Sequence, residues 1–206
     1  MYILRGKGDM TFEAPRRLLD KKETPVQLGE FWDEKNRKWG KTEGEDPTRD
    51  LCVYPLAVDW DGDGDLDLLL GGFRGRMAVR INEGTAAKPV FAEKNTPVKA
   101  DGKILSATGG GVSPTTADWD GDGRWDLICG RSKGEVVWYR NTASKGMPTF
   151  AAAQTILEKP GEKEADRPCS YLKVAVGDIN HDKKLDLVVG AYDAKRTGGI
   201  WVYLRR

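Results

Sequence analysis

Apolar residues along this chain come in short bursts. LDLLLGG at 66–72, WDLICG at 125–130, LDLVVG at 185–190, VVWYRN at 136–141 and IWVYL at 200–204 are rich in Val, Ile, Leu and aromatics, and Gly, Asn, Asp and Pro bound them. Such punctuation predicts short β-strands joined by tight turns. No window of eleven or more residues carries the three-and-four spacing of an amphipathic helix. The bursts also recur. Residues 55–72 read PLAVDWDGDGDLDLLLGG, residues 114–130 PTTADWDGDGRWDLICG and residues 174–190 VAVGDINHDKKLDLVVG. Their first aspartates, Asp59, Asp118 and Asp178, are 59 and 60 residues apart. A second anchor keeps the same phase: AVRIN ends at Asn82 and VWYRN at Asn141, each followed nine residues later by Phe91 or Phe150. YILRG, ending at Gly6, and WVYLRR, ending at Arg206, fit the same strand slot.

A period near 60 residues made of short strands suits one four-stranded antiparallel sheet per repeat. Such a sheet has two apolar faces and cannot cover both alone, so blades stacked around an axis are the expected architecture. A β-solenoid is the alternative, although its rungs are usually shorter. The fold class expected is therefore all-β: propeller blades, about three repeats plus one extra strand. The repeats are drawn at 1–75, with a polar insertion near 30–50 that carries Trp32 and Trp39, at 76–134 and at 135–199, with 200–206 as a strand of the next repeat. The first and last strands fill the same slot, so the chain is expected to continue into adjoining repeats or to pool its blades with a second copy.

Between the strands lie three acidic loops with oxygen-bearing side chains at positions one, three, five and nine. They are Asp59, Asp61, Asp63 and Asp67; Asp118, Asp120, Asp122 and Asp126; and Asp178, Asn180, Asp182 and Asp186. Position seven, held by Asp65, Arg124 or Lys184, adds a backbone carbonyl. Six to eight oxygens at about 2.3–2.6 Å are what Ca²⁺ takes, and alternate residues of a tight turn can aim at one centre. The spacing begins like an EF-hand but lacks its closing Glu at position twelve, where Leu70, Cys129 and Val189 stand. An Asp-Gly turn can also be a solvated hairpin loop. Three copies in phase favour metal sites, because so many carboxylates would otherwise repel one another. No Cys or His fills a ligand slot, which disfavours soft metals. The third loop is expected to bind most weakly: Asn180 is neutral, Lys183 and Lys184 bring positive charge, and Lys183 replaces a glycine at a point where positive φ is expected.

Composition adds exclusions. Lys plus Arg is 33 and Asp plus Glu 32, a net charge of +1, so nothing draws the whole chain to nucleic acid. No apolar run approaches the ~20 residues of a membrane span. Cys52, Cys129 and Cys169 form no recognisable disulfide or zinc pattern and are expected to be small buried hydrophobes. The lone histidine, His181, is expected to be an exposed loop residue. Trp60 and Trp119, at position two of their loops, are expected to pack between blades rather than stack on a ligand.

DWDGDGDLDLLLGG, DWDGDGRWDLICG, GDINHDKKLDLVVG and the strand pattern of GEVVWYRN resemble the FG-GAP-like, or VCBS, repeats, a family that includes the integrin α-subunit propeller. The resemblance implies blades with Ca²⁺ in their hairpins, and because calcium loops of this kind suit the high Ca²⁺ outside cells, the protein is expected there or at the cell surface. The resemblance leaves three functional classes open: a structural or adhesive interaction module, a carbohydrate-binding propeller, or part of a secreted polysaccharide-degrading enzyme. A protein or a glycan is the expected partner. Sugar binding would call for exposed aromatics on one face, and an enzyme for a single non-repeating charged cluster, such as one around 30–50.

Overall fold

The computed structural model describes residues 2–3, 6–26, 31–33, 38–40, 54–107, 110–161, 167–192 and 197–206. Within them the protein is all-β, and three sheets dominate. Blade one is ordered β5 (Tyr54–Val58), β6 (Asp67–Gly71), β7 (Met77–Arg80) and β8 (Thr96–Pro97). Blade two is β11 (Val112–Ala117), β12 (Asp126–Arg131), β13 (Val136–Tyr139) and β14 (Gln154–Leu157). Blade three is β15 (Ser170–Gly177), β16 (Asp186–Tyr192) and β17 (Gly199–Tyr203). Smaller pairs are β1 (Tyr2–Ile3) with β2 (Arg16–Arg17), β3 (Phe31–Asp33) with β4 (Lys38–Gly40), and β9 (Lys99–Ala100) with β10 (Lys103–Ile104). All of these pairings are antiparallel. The hairpin β3–β4 sets Trp32 opposite Trp39 within the insertion near 30–50, most of which lies outside the described residues, as does Cys52.

The sheets are offset from the sequence repeats. Each begins before its aspartate loop, so the boundary at residue 76 falls between two strands of one sheet. Residues 200–206, expected as a strand of the next repeat, hold most of β17, which pairs with β16 in the third sheet. Register also corrects the anchor slot. Leu68, Leu127 and Leu187 face Arg80, Tyr139 and Tyr203, so the counterpart of Asn82 and Asn141 is Arg205 rather than Arg206.

Stacking explains why the second strand of each blade loses the polar–apolar alternation of a half-wet strand. Leu127 and Cys129 face one neighbour, in a cluster with Val58, Trp60, Leu69 and Met77 of blade one. Ile128 faces the other, in a cluster with Leu172, Leu187 and Val189 of blade three. Each such side chain contributes about 1.5–3 kcal/mol when fully removed from water. Backbones approach closely as well. A Cβ on Gly71 would strike the Val112 carbonyl oxygen, and one on Gly130 would lie 2.5 Å from the Leu172 oxygen, so only glycine lets the next blade's first strand close in. Cys129 is fully buried in the first seam, and burial pushes its thiol up to about 12.

The expected inter-blade tryptophans are in place. Trp60 is 5% exposed and its ring lies 5.6 Å from Trp125 and 5.8 Å from Phe150, both in blade two. Trp119 packs against the blade-three cluster, with the Arg205 guanidinium 4.8 Å from its ring centre.

The N-terminal segment repeats the second half of a blade. Gly6 bridges Phe12 as Asn82 bridges Phe91 and Asn141 bridges Phe150. Asp20 then bridges Phe91 in parallel, as Ala100 bridges Phe150. Asp20 and Arg80 form a buried ion pair at 3.6 Å, and Arg80 also donates to the Ala92 and Glu93 carbonyls and to Asn95.

Trp60→Ala should therefore cost about 3–5 kcal/mol, the range for emptying a buried aromatic site. Met147→Ala, at a residue 57% exposed, should cost little. Urea unfolding followed by circular dichroism checks both values, and equal stabilities would contradict the seam assignment.

Candidate metal centre

Each acidic loop joins the first strand of a blade to the second, and its last aspartate is the first residue of that second strand. Asp67, Asp126 and Asp186 are 1%, 0% and 0% exposed. All three hold the same pair of backbone donors. Asp67 accepts from Trp60 N–H at 2.9 Å and Asn82 N–H at 2.6 Å. Asp126 accepts from Trp119 N–H at 3.2 Å and Asn141 N–H at 2.7 Å. Asp186 accepts from Ile179 N–H at 2.9 Å and Arg205 N–H at 2.8 Å. The position-nine carboxylate thus ties its own loop to the segment that follows the third strand. Asn82 and Asn141 continue the tie, their side-chain oxygens accepting from Gly84 and Val90 and from Ala143 and Thr149. Sequence spacing marked the aspartates as ligands and the asparagines only as anchors. Their shared structural role appears once both ends of the hydrogen bonds are in view.

The position-one carboxylates shape the turn. Asp59 accepts from Gly62 and Gly64 N–H, Asp118 from Asp122 and Gly123, and Asp178 from Asp182 and Lys183. The turn needs left-handed backbone at two points. Gly62 and Gly64 have φ of 80° and 92°, Gly121 and Gly123 of 77° and 86°, while His181 and Lys183 adopt 61° and 67° in the third loop. The strain anticipated at Lys183 is present, and His181 shares it while remaining exposed. The residues at position seven, Asp65, Arg124 and Lys184, donate their N–H to the position-five carboxylates of Asp63, Asp122 and Asp182 at 2.8, 3.0 and 2.9 Å.

Two of the loops gather carboxylates around one point. In the first, Asp59, Asp61 and Asp67 each place an oxygen within 4.8 Å of the others, and in the second Asp118, Asp120 and Asp126 do the same. Two oxygens bound to one Ca²⁺ at about 2.4 Å can be at most about 4.8 Å apart, so both sets fit a single hard cation. Asp63 and Asp122 stand outside these trios, and in the third loop Asn180 takes the position-three place, so no trio of carboxylates forms there. There the Asn180 amide nitrogen donates to Asp182 at 3.1 Å, supplying in place the positive partner that a cation would.

Electrostatics separate the loops further. Burial pushes the carboxyls of Asp67 and Asp126 above their ordinary value, against the lowering effect of their backbone donors. Burial also pushes Asp122 up, but the Arg124 N–H and the Arg140 and Arg124 guanidinium groups outweigh it and leave its pKa lowered. Asp182 is lowered by the Lys184 N–H and by Asn180. Arg140 was not singled out from the sequence. Its Nε lies 2.5 Å from Asp120 and its Nη2 3.0 Å from Asp122, so it neutralises part of the second loop. The signal was present in VWYRN set against AVRIN, where Ile81 holds the corresponding place.

The sequence profile of the FG-GAP-like repeat matches residues 59–129 and again 118–189. No curated protein and no solved structure matches the chain. Each matched stretch runs from one acidic loop to the second strand of the following blade, spanning one complete seam.

Cation affinity should fall from the first loop to the third. Asp61→Asn should remove the tightest calorimetric Ca²⁺ phase, and Arg140→Gln should strengthen the second loop severalfold by freeing Asp120 and Asp122. Alanine at position nine is the wrong probe. It strips partners from two backbone donors at about 1–3 kcal/mol each, whether or not an ion is bound.

Proposed function

The chain belongs to the FG-GAP-like repeat family, and from that premise and the geometry of its acidic loops we propose that it is a calcium-stabilised β-propeller interaction module acting outside the cell. The observation that carries this reading is the pair of carboxylate trios, each compact enough for one Ca²⁺. Asp59, Asp61 and Asp67 would hold one ion and Asp118, Asp120 and Asp126 another. A bound cation would offset the repulsion within each trio and stiffen the loop that carries the inter-blade tryptophan. Calcium would thereby act on the seams, and through them on the surface the blades present. Loops of this kind suit the high Ca²⁺ outside cells, in keeping with the extracellular sensor-free modules whose affinities lie near 10⁻⁴–10⁻³ M. No helix of the described residues is long and apolar enough to cross a membrane. The expected partner is a protein that reads the rigid face of the blades.

One observation favours a carbohydrate as the second reading. At the end of the sheets opposite the acidic loops, Phe73, Tyr171 and Tyr192 form an exposed cluster: Phe73 and Tyr171 are near parallel with ring centres 5.9 Å apart, and Tyr192 meets Tyr171 edge-on at 6.5 Å. They are 40%, 43% and 50% exposed, and Tyr171 is held at a positive φ of 54°. Flat exposed aromatics beside polar backbone are what a sugar ring stacks on. Most of the stretch near 30–50, where an enzyme would need its charged cluster, lies outside the described residues. Glycan-array binding in Ca²⁺, lost in Tyr171→Ala, separates the two readings, since a protein-directed module would give no glycan signal.

Calcium should raise the melting temperature. An ion that binds only the folded state contributes RT ln(1 + [L]/Kd), about 2.7 kcal/mol per site at 100 Kd. Scanning calorimetry in EDTA and in millimolar Ca²⁺ measures the shift, and identical curves would remove the proposal. The increment should be full at neutral pH and lost on acidification. Protons compete with the ion for the ligand carboxylates, and the burial that raises Asp67 and Asp126 favours the protons in that competition.

A further inference from the structure

The two seams are built alike, so together they define what an uncovered blade face accepts. In each, the side chain at position two of one blade's loop enters the next blade: Trp60 meets Trp125 and Phe150, and Trp119 joins the blade-three cluster. In each, a glycine of the second strand admits the next blade's first strand, at Gly71 and at Gly130. In each, the first residue of the third strand is sealed, Met77 at 1% exposure and Val136 at 0%.

Blade three carries the same three features, and among the described residues no further blade covers them. Ile179 stands where Trp60 and Trp119 stand and is 48% exposed. Gly190 is the counterpart of Gly71 and Gly130, and a Cβ there would meet no atom within 4 Å. Ile200, the counterpart of Met77 and Val136, is 77% exposed, and Val202 on the same face is 50% exposed. Blade one carries the other half of a seam. The counterparts of Trp125 and Phe150 are Leu66 and Phe91, which line an apolar cavity of about 530 Å³ together with Leu18, Pro55 and Ala57. Leu66 is 58% exposed there, where a position-two side chain would cover it.

We propose that blade three of one copy docks onto blade one of a second copy, with Ile179 in the Leu66–Phe91 cavity and the second copy's β5 seated against Gly190. This goes beyond the calcium-dependent role, and its test does not depend on that role. The contact joins two different surfaces, so it closes a ring only if the rotation allows. Two copies related by two such junctions bring together six sheets, within the four to eight blades that propellers use.

The junction has a second component. β1 and β17 are both third strands: β1 leads into the Gly6–Phe12 bridge, and β17 leads into the Arg205 slot equivalent to Asn82. They compete for one place. β1 holds β2 through two residue pairs, whereas β17 spans five residues and has β16 as its strand neighbour among the described residues. On docking, β17 displaces β1, and β2 of the second copy becomes the fourth strand of blade three.

Sedimentation velocity over a concentration series tests the contact. The wild-type chain should form a two-copy species. Leu66→Arg and Ile179→Asp, both at exposed positions, should each be monomeric while keeping the wild-type circular dichroism spectrum. An equimolar mixture of the two variants should regain a dimer, because one junction then pairs an intact Ile179 with an intact Leu66. Deleting residues 1–5 should tighten association by removing the competing strand. A wild-type monomer at every soluble concentration would overturn the proposal. So would association that neither substitution alters, or a mixture of the variants that stays monomeric.

Discussion

A buried carboxylate with two backbone donors holds each blade together. Asp67, Asp126 and Asp186 would be costly in isolation, since an unpaired charge out of water drives its own neutralisation. Two N–H groups, one from the loop and one from beyond the third strand, make each of them a fixed joint between segments 15 to 19 residues apart in sequence. Everything else in the loop depends on that joint. It fixes where the strand begins, and so which leucines face which neighbour. It also fixes the position-two residue, whose N–H it binds and whose side chain builds the seam. The carboxylate trios and the blade packing share one anchor, so a cation held by a trio would act directly on blade stability.

The three loops show one scaffold under different electrostatic settings. The first carries acid with no cation beside it in the same slots. The second has Arg140 and Arg124 in contact with its aspartates. The third replaces an aspartate with an amide and both glycines with residues that bear a Cβ. The backbone turn survives in all three, as the matching φ values show. Its shape goes with the position-one and position-nine hydrogen bonds, which all three loops share.

What could be foreseen from the chain alone follows from how local each signal is. The acidic loops, the strands after them and the inter-blade role of Trp60 were legible because spacing, composition and repetition all lie within a few residues. The slot of Arg205 was misplaced by one residue because WVYLRR offers two adjacent arginines, and only the pairing of Leu187 with Tyr203 tells them apart. Arg140 escaped notice because its contacts are with residues 18 and 20 positions away, across a strand and a turn. The likeness of residues 2–26 to half a blade was visible only at Gly6. The rest of that likeness lies in bridges to Phe12 and Phe91, which no periodicity reveals.

The seam between the first two blades also encloses a chemical reporter. Cys129 has no exposed surface, and burial keeps its thiol protonated far above neutral pH. Because the thiolate is the reactive form, a modifying reagent has nothing to attack while the seam is shut. Its modification rate would then follow how often two neighbouring sheets part from one another. In a stack where each sheet touches only its neighbours, that frequency measures the cooperativity of the array at a single internal junction.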